Sequence, residues 1–130
     1  MTPQDLWDER VRIINEHRWA DLADLYAEDC VIEMKFAPPT PFRITGRAAL
    51  AEHLTSMTKA PLRFEVRDAV IHETADPETI IVEYRYHGTN TATGETNEIN
   101  NIQLFRSRDG KLVETHDYHD HRAIGVLLGR

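Results

Sequence analysis

The sequence predicts an α+β fold in which one curved antiparallel sheet wraps around three N-terminal helices. Two observations support this prediction. Through residues 1–60 the apolar side chains mostly recur at the spacing of amphipathic helices, whereas in the remainder apolar and polar residues alternate with the period of two expected of half-buried strands. Helices grouped at one end of a chain pack on one face of an antiparallel sheet. We expect the hollow of that sheet to form a ligand pocket.

Two helical segments are predicted before the first strand. Thr2 is a candidate N-cap, Pro3 suits the first helical position, and Asp5 places negative charge at the helix start. The inner face of this helix would carry Leu6, Arg10, Ile13, Ile14 and His17. After a polar stretch at residues 15–18 the apolar spacing resumes through residues 19–26, which predicts a second short helix or a bend.

A strand, a loop and a third helix are predicted next. Cys30–Phe36 reads as a strand, and the three prolines within Ala37–Pro41 predict a loop because proline has no amide donor for a sheet. From Gly46 onward, a helix ending near Lys59 is predicted by the i, i+3, i+4, i+7 spacing of Leu50, His53, Leu54 and Met57.

The rest of the chain is predicted to be a four-stranded antiparallel meander. Apolar residues alternate with charged residues over 62–70 and again over 80–86, with a turn at Asp76-Pro77 between them. A third strand would end near Phe105. Asp109-Gly110 is a strong hairpin signal that leads into the last strand.

Composition narrows the class of protein. A chain of 130 residues corresponds to one domain, and a net charge of -7 without a basic run argues against a nucleic-acid partner. No apolar stretch approaches the roughly 20 residues of a membrane helix. The single cysteine, Cys30, can form no internal disulfide, and no nucleotide-binding or metal-binding motif is present. We therefore expect one cytoplasmic domain that uses no cofactor.

Several segments together resemble the nuclear-transport-factor-2-like superfamily, in its SnoaL-like branch. They are the junction Leu22–Ile32 (LADLYAEDCVI), the helix start Gly46–Leu54 (GRAALAEHL) and the closing Asp109–Leu112 (DGKL). Within that branch, His72–Gly88 and the run from Glu98 to Asp117 look closest to the small phenazine-biosynthesis proteins of the A/B type. The resemblance implies a cone-shaped α+β barrel, usually dimeric, whose pocket performs acid/base chemistry.

The resemblance also implies two catalytic residues. The family's carboxylate on the last strand, a glutamate, falls on Asp117, and the histidine of its third helix falls on His53. Met57 stands where the family has a serine, one turn after that histidine. An aspartate pointing into a mostly apolar cone is expected to have its pKa raised towards neutrality by burial, which suits proton transfer. The alternative for each residue is a purely structural role: Asp117 as a half-exposed strand residue and His53 as a core histidine.

Further side chains are expected to contact a substrate. Asn101 could aim its amide at a bound carbonyl oxygen, although a side chain at the edge of a strand ladder is the favoured alternative. His87 and Glu83 share the strand face opposite Tyr84 and Tyr86. They are expected at a dimer surface, and the alternative is contact with the pocket of a strongly bent sheet. The predicted substrate-binding residues are Trp19, Met57, Tyr84, Tyr86, Asn101 and His119.

The string HDYHDH (residues 116–121) raises a metal alternative. Asp117, His119 and His121 would share one strand face, yet their side chains would span about 13 Å at the usual strand rise. That distance is too long for one ion without a bulge, so no metal is predicted.

These observations predict an acid/base enzyme of the isomerase, cyclase or condensation type. Its substrate would be a small, largely apolar cyclic or carbonyl compound. The alternative is a non-catalytic ligand-binding or assembly protein of the same fold. The apolar tail around residues 124–128 would cap the cone or cross to a partner, and an isologous homodimer through the sheet is expected.

Overall fold

The computed structural model describes residues 1–130 as three α-helices, one 3₁₀ helix and six strands. In chain order these are α1 (Pro3–Asn15), the 3₁₀ helix (Trp19–Leu25), β1 (Tyr26–Met34), β2 (Phe42–Thr45), α2 (Arg47–Thr58), β3 (Leu62–Glu73), β4 (Thr79–Asn90), β5 (Thr96–Arg108), β6 (Lys111–His119) and α3 (His121–Leu127). This is the predicted α+β architecture, with the helices held against one sheet. None of the helices combines the length and the apolar character that crossing a bilayer requires.

The six strands form one sheet in the order β2-β1-β6-β5-β4-β3. The predicted meander of β3 to β6 is confirmed, since each neighbouring pair is antiparallel. The structure adds one feature to the prediction of an antiparallel sheet: β1 pairs with β6 in parallel. A bulge in β3 leaves Asp68 at a φ of 56°. Bulges of this kind bend a strand, and the bend contributes to the curvature of the sheet.

The predicted start of α1 and the predicted hairpin between β5 and β6 are confirmed. The side chain of Thr2 accepts a hydrogen bond from the Asp5 amide, and the Asp5 carboxylate accepts one from the Thr2 amide, so α1 begins with a complete capping box. Asp109 and Gly110 both have positive φ, at 53° and 78°, as the hairpin between β5 and β6 requires.

The core lies between α1 and the concave face of the sheet. Leu6 and Ile14 of α1 are almost fully buried, and the ring of Trp7 packs 4.9 Å from Tyr84 and 5.5 Å from Phe105 between centroids. Burying such aromatic rings supplies much of the hydrophobic stabilisation of a small domain. The packing holds α1 against β4 and β5, next to the remaining hollow.

Three elements differ from their predicted bounds or were missed. The first strand starts at Tyr26, four residues before the predicted start, because its early residues pair beside β6. The short strand β2 was not predicted; it follows the proline-rich loop and pairs with β1 from Val31 opposite Thr45 to Met34 opposite Phe42. The apolar tail forms α3, with Leu127 buried and Ile124 on the cavity wall, so it caps the cone.

Candidate functional site

A cavity of about 360 Å³ fills the hollow between the sheet, the 3₁₀ helix, α2 and α3. Of its 22 lining residues, 16 are hydrophobic. This volume is within the range of small-molecule sites, which are mostly apolar with a few polar groups that fix orientation. The charged or imidazole side chains on the wall are Arg10, His53, Asp117, His119 and His121.

Asp117 lies on the inner face of β6 and is only 6% exposed. Gln103 stands directly opposite on β5, and its Nε2 donates to Asp117 Oδ1 over 2.6 Å. The hydroxyl of Tyr84 donates to Gln103 Oε1, which fixes the orientation of the amide. His119 Nε2 lies 3.7 Å from Asp117 Oδ2. The carboxylate is therefore dry, held in position and in contact with the cavity.

The pKa of Asp117 differs from the expected direction. Burial does raise it, as predicted, but the hydrogen bond and charge of His119, the charge of Arg10 and the Gln103 hydrogen bond together lower the pKa below its ordinary value. The prediction of a pKa near neutrality is therefore wrong. The expectation considered the apolar walls without Arg10, His119 and Gln103, which the fold brings to the same point. The ionised carboxylate can accept a proton but does not store one.

Arg10 is a polar group of the cavity that sequence reasoning left out of the site. It is 6% exposed, its Nη1 donates to the Tyr26 hydroxyl over 3.1 Å, and its guanidinium lies 5.4 Å from the ring centroid of Phe105. Burial opposes its charge, but Tyr26, Tyr86, Tyr84 and Asp117 hold its pKa above the ordinary value. Its Nε is buried without a hydrogen-bond partner. The available signal was an arginine among the apolar residues of the inner face of α1.

His119 and His121 form the part of the wall where β6 gives way to α3. The Nδ1 of His119 lies 2.8 Å from Asn101 Oδ1. The His121 ring centroid is 6.0 Å away from that of His119, and His121 Nε2 is buried without a partner. Burial and the neighbouring charge of His119 lower the pKa of His121, which favours its neutral form. His121 was considered only as a metal ligand in the sequence.

His53 lies on the cavity wall contributed by α2 and is half-buried. Its ring centroid lies 6.3 Å from that of Phe42. Burial lowers its pKa, while the charge of Asp117 acts in the opposite direction. The neutral imidazole that results can donate or accept one hydrogen bond in the cavity.

The predicted substrate-binding residues separate into two groups. Trp19, Met57, Tyr86 and His119 line the cavity, where their contact with a ligand stays a prediction. Tyr84 and Asn101 do not line it. The Tyr84 hydroxyl is directed to Gln103, and the 3% exposed side chain of Asn101 is directed to His119 and the Ile99 carbonyl. Tyr84 therefore orients Gln103, the partner of Asp117, and Asn101 contacts the cavity residue His119. Neither sequence interpretation of Asn101 describes this position.

The structure also locates the residues expected at a dimer surface and those of the metal alternative. Glu83 contacts His72 and His87 contacts Glu98 on the exposed face of the sheet, away from the cavity. Nowhere do three His, Cys, Asp or Glu side chains meet in an arrangement suited to a metal ion. In particular, His121 does not continue strand β6 but begins α3, so residues 117, 119 and 121 do not form the three-ligand row.

Comparison with protein families finds a match over residues 8–115 to the model of the SnoaL-like domain. The chain is 30% identical to the uncharacterized protein YesE of Bacillus subtilis, over 77% of this chain and 67% of that protein. It is 28% identical to an uncharacterized PhzA/B-like protein of Pseudomonas aeruginosa, over 91% of this chain and 84% of the relative.

Comparison with solved structures supports the same architecture. The crystal structure of a proposed isomerase from Bacillus subtilis superimposes with a TM-score of 0.88 at 23% identity, covering 97% of this chain and 91% of the other. At 23% identity this superposition shows a shared fold and nothing more. The curved sheet closed by helices is thus the common element.

Proposed function

Since this chain belongs to the SnoaL-like domain family, we propose that it is an acid/base enzyme of the isomerase or cyclase type that acts on a small carbonyl compound. The observation that carries the proposal is the buried, ionised carboxylate of Asp117 on the wall of a mostly apolar cavity. An ionised carboxylate shielded from water is suited to remove a proton from a bound substrate.

Asp117 is the proposed general base. It would take a proton from the carbon next to the substrate carbonyl, and the electron pair of that C–H bond would pass to the carbonyl oxygen as an enolate. Returning the proton to a different carbon completes an isomerisation, and attack of the enolate carbon on a second carbonyl within the substrate begins a cyclisation. The hydrogen bond from Gln103 holds the carboxylate in one orientation during the reaction, which lowers the free energy needed to reach the reacting geometry.

Arg10 is the proposed stabiliser of the enolate oxygen. Its Nε–H is a buried donor without a partner, and its guanidinium stays charged at the wall of a mostly apolar cavity. A fixed donor aimed at developing negative charge is worth several kcal/mol, typically about 3, in sites of this kind. His53, on the α2 side of the cavity, would hydrogen-bond to a second polar atom of the substrate.

The cavity favours an apolar ring system without net charge. Its wall presents one buried cation and one buried anion, Arg10 and Asp117, so their charges already offset each other. The rings of Phe64 and Tyr86 stack at 4.6 Å with an angle of 14°, and Trp19 meets Phe64 edge-on at 6.0 Å. These rings offer a flat apolar surface to a cyclic substrate.

A test that does not require the natural substrate uses 2-tetralone, a bicyclic ketone with exchangeable hydrogens beside its carbonyl. The wild-type protein in heavy water should accelerate exchange of these hydrogens, followed by NMR. Asp117→Asn should slow the enzyme-dependent rate by about 100-fold or more, because it removes the general base. Asp8→Asn, at an exposed position of α1, is the matched control for loss of one negative charge.

The second candidate is a ligand-binding protein without chemistry. The observations that favour it are the engagement of Asp117 by Gln103 and His119 and the thioether of Met57 where the family has a serine. Saturable binding of 2-tetralone with no exchange above that of buffer would support this candidate. Equal exchange in wild type and Asp117→Asn would reject Asp117 as the base.

We also propose a homodimer formed through the outer face of the sheet. Val70, Glu83, Ile102 and Tyr118 stand in one cross-strand row on that face, and Val70 and Ile102 are 52% and 45% exposed. Exposed apolar residues in a row are typical of an interface. Ile102→Lys should then shift the mass measured by light scattering to that of a monomer. A cytoplasmic location belongs to the same proposal and fits the free, buried thiol of Cys30.

A further inference from the structure

The side chain of Asn101 has only one orientation that satisfies its surroundings. Its Nδ2 lies 3.3 Å from the carbonyl oxygen of Ile99 and donates to it. Its Oδ1 therefore faces the other way, 2.8 Å from Nδ1 of His119. Because an amide oxygen can only accept a hydrogen bond, Nδ1 of His119 must carry a proton. Rotating the amide by 180° would place two oxygens together at the Ile99 carbonyl.

With Nδ1 committed to Asn101, Nε2 is the position of His119 that gains and loses a proton: the charged ring directs its Nε2–H to Asp117, and the neutral ring leaves Nε2 free to accept a proton. This atom lies 3.7 Å from Oδ2 of Asp117, the carboxylate oxygen that does not hold the Gln103 hydrogen bond. The ring is nearly buried, with a side-chain exposure of 11%, and lies 6.1 Å from Tyr86 between centroids. The other titratable group beside it is His121, whose burial favours its neutral form.

His119 also borders a second, outer groove that Asp117 does not line. A groove on the outer side of the sheet is lined by His119 and His121 together with Asp120 and Arg122. The same two histidines line the inner cavity. A proton on His119 can thus exchange with water in the groove while a substrate fills the cavity, whereas Asp117 lines the cavity alone. The row of the proposed dimer interface, Val70, Glu83, Ile102 and Tyr118, also lines this groove, so in a dimer the exchange would use the end beside Asp120 and Arg122.

We propose that His119 is the proton relay of this site and that Asn101 is the positioning residue that fixes its tautomer. This inference rests on the proposed function of Asp117 as a base. After Asp117 has taken a proton from the substrate carbon, the O–H bond breaks as the Nε2–H bond of His119 forms, and the bonding pair returns to the carboxylate. The proton then goes back through Asp117 to the substrate, or it leaves through the groove and a proton from water replaces it on Nε2 and returns by the same route, so no proton is gained or lost over a cycle.

The first test reads the tautomer directly and needs no substrate. Long-range ¹H–¹⁵N correlation spectra of protein labelled at its 7 histidines distinguish Nδ1–H from Nε2–H in a neutral ring. Free histidine carries this proton mainly on Nε2. We expect neutral His119 to carry it on Nδ1, with its signals identified by their loss in His119→Gln. A neutral His119 protonated on Nε2 in the wild-type protein would overturn the inference.

The second test removes the positioning residue. Asn101→Leu keeps the branched shape of the side chain but deletes the acceptor, so neutral His119 should revert to the Nε2–H tautomer and donate to Asp117. Exchange of 2-tetralone hydrogens should fall about 10-fold, because the relay nitrogen is then occupied. Asn100→Leu, on the exposed face of the same strand, is the matched control and should change neither readout.

The outcomes separate this inference from the proposed function. Exchange that depends on Asp117 but is unaffected by Asn101→Leu leaves the base in place and rejects the relay. An Nδ1–H tautomer in a wild-type protein that exchanges no hydrogens rejects the enzymatic function, and the relay fails with it. The wild-type spectrum is decisive for the tautomer even if Asn101→Leu does not fold.

Discussion

Gln103 and Asp117 stand opposite each other on β5 and β6, with the amide Nε2 of the first 2.6 Å from Oδ1 of the second. The register of this antiparallel pair is what places a fully buried amide beside a buried carboxylate. One carboxylate oxygen is thereby held by Gln103, while the other faces His119. The site is therefore an ordered arrangement in which each oxygen of Asp117 has a separate partner.

The lowered pKa of Asp117 predicts how stability depends on pH. Because the folded-state pKa lies below the ordinary value of 3.8, the ionised group stabilises the fold at pH values above 3.8. This contribution is lost as the pH falls through the folded-state pKa. The difference in free energy of unfolding between wild type and Asp117→Asn should be constant near neutrality and shrink in strong acid. Urea unfolding at a series of pH values measures it, and a difference that grows in acid would contradict the assignment.

Arg10 is expected to control the protonation of Asp117. Its charge is one of the causes that lower the Asp117 pKa, so Arg10→Met should raise that pKa, measured by the ¹³C shift of the carboxyl group during titration. Methionine occupies a similar volume without leaving an unpaired buried donor. Arg12→Met, at an exposed position of α1 paired with Glu9, is the control and should leave the pKa of Asp117 unchanged. An unchanged titration in Arg10→Met would remove Arg10 from the electrostatics of the site.

Gly88 is required for the closing of the cavity by α3. A Cβ at this position would lie 2.8 Å from Leu127 Cδ2 and 3.1 Å from Ile99 Cδ1, and Leu127 is the buried residue of α3. Gly88→Ala should therefore destabilise the fold by about 1–3 kcal/mol and displace α3. Thermal unfolding measures the first effect, and amide exchange of α3 measures the second.

The control for this prediction lies in α3 itself. A Cβ at Gly125 meets its nearest atom at 3.9 Å, so Gly125→Ala should be neutral or stabilising by up to ~1 kcal/mol through helix propensity. Equal stability of Gly88→Ala and wild type would show that α3 is not packed against β4 as described.

Trp19 should report binding to the cavity. It lines the wall, whereas Trp7, the other of the 2 tryptophans, packs on Tyr84 and Phe105 away from the cavity. In Trp7→Phe, 2-decalone should quench the remaining fluorescence in a saturable way, because a ketone beside the indole ring is an efficient quencher. Trp19→Phe should retain the Trp7 emission unquenched. Quenching of both single-tryptophan variants alike would place the ligand elsewhere.

Much of the fold was readable in the sequence because it depends on short-range rules. The predicted N-cap at Thr2, the helical spacing from Leu50 to Met57, and the hairpin at Asp109-Gly110 each involve residues a few positions apart. Strand β2 was missed because its four residues carry no pattern of their own and become a strand only beside β1. The parallel pairing of β1 with β6 likewise joins parts of the chain that no local rule relates.

The position of Asp117 in a cavity followed from the resemblance and from strand alternation, but its chemistry did not. Alternation says which face of β6 a side chain takes, and composition says that the face is apolar. Whether the carboxylate gains or loses protons depends on Arg10, Gln103 and His119, which lie on three different elements. Electrostatic energies vary with distance and solvent exclusion, and both arise only when α1, β5 and β6 meet around one point.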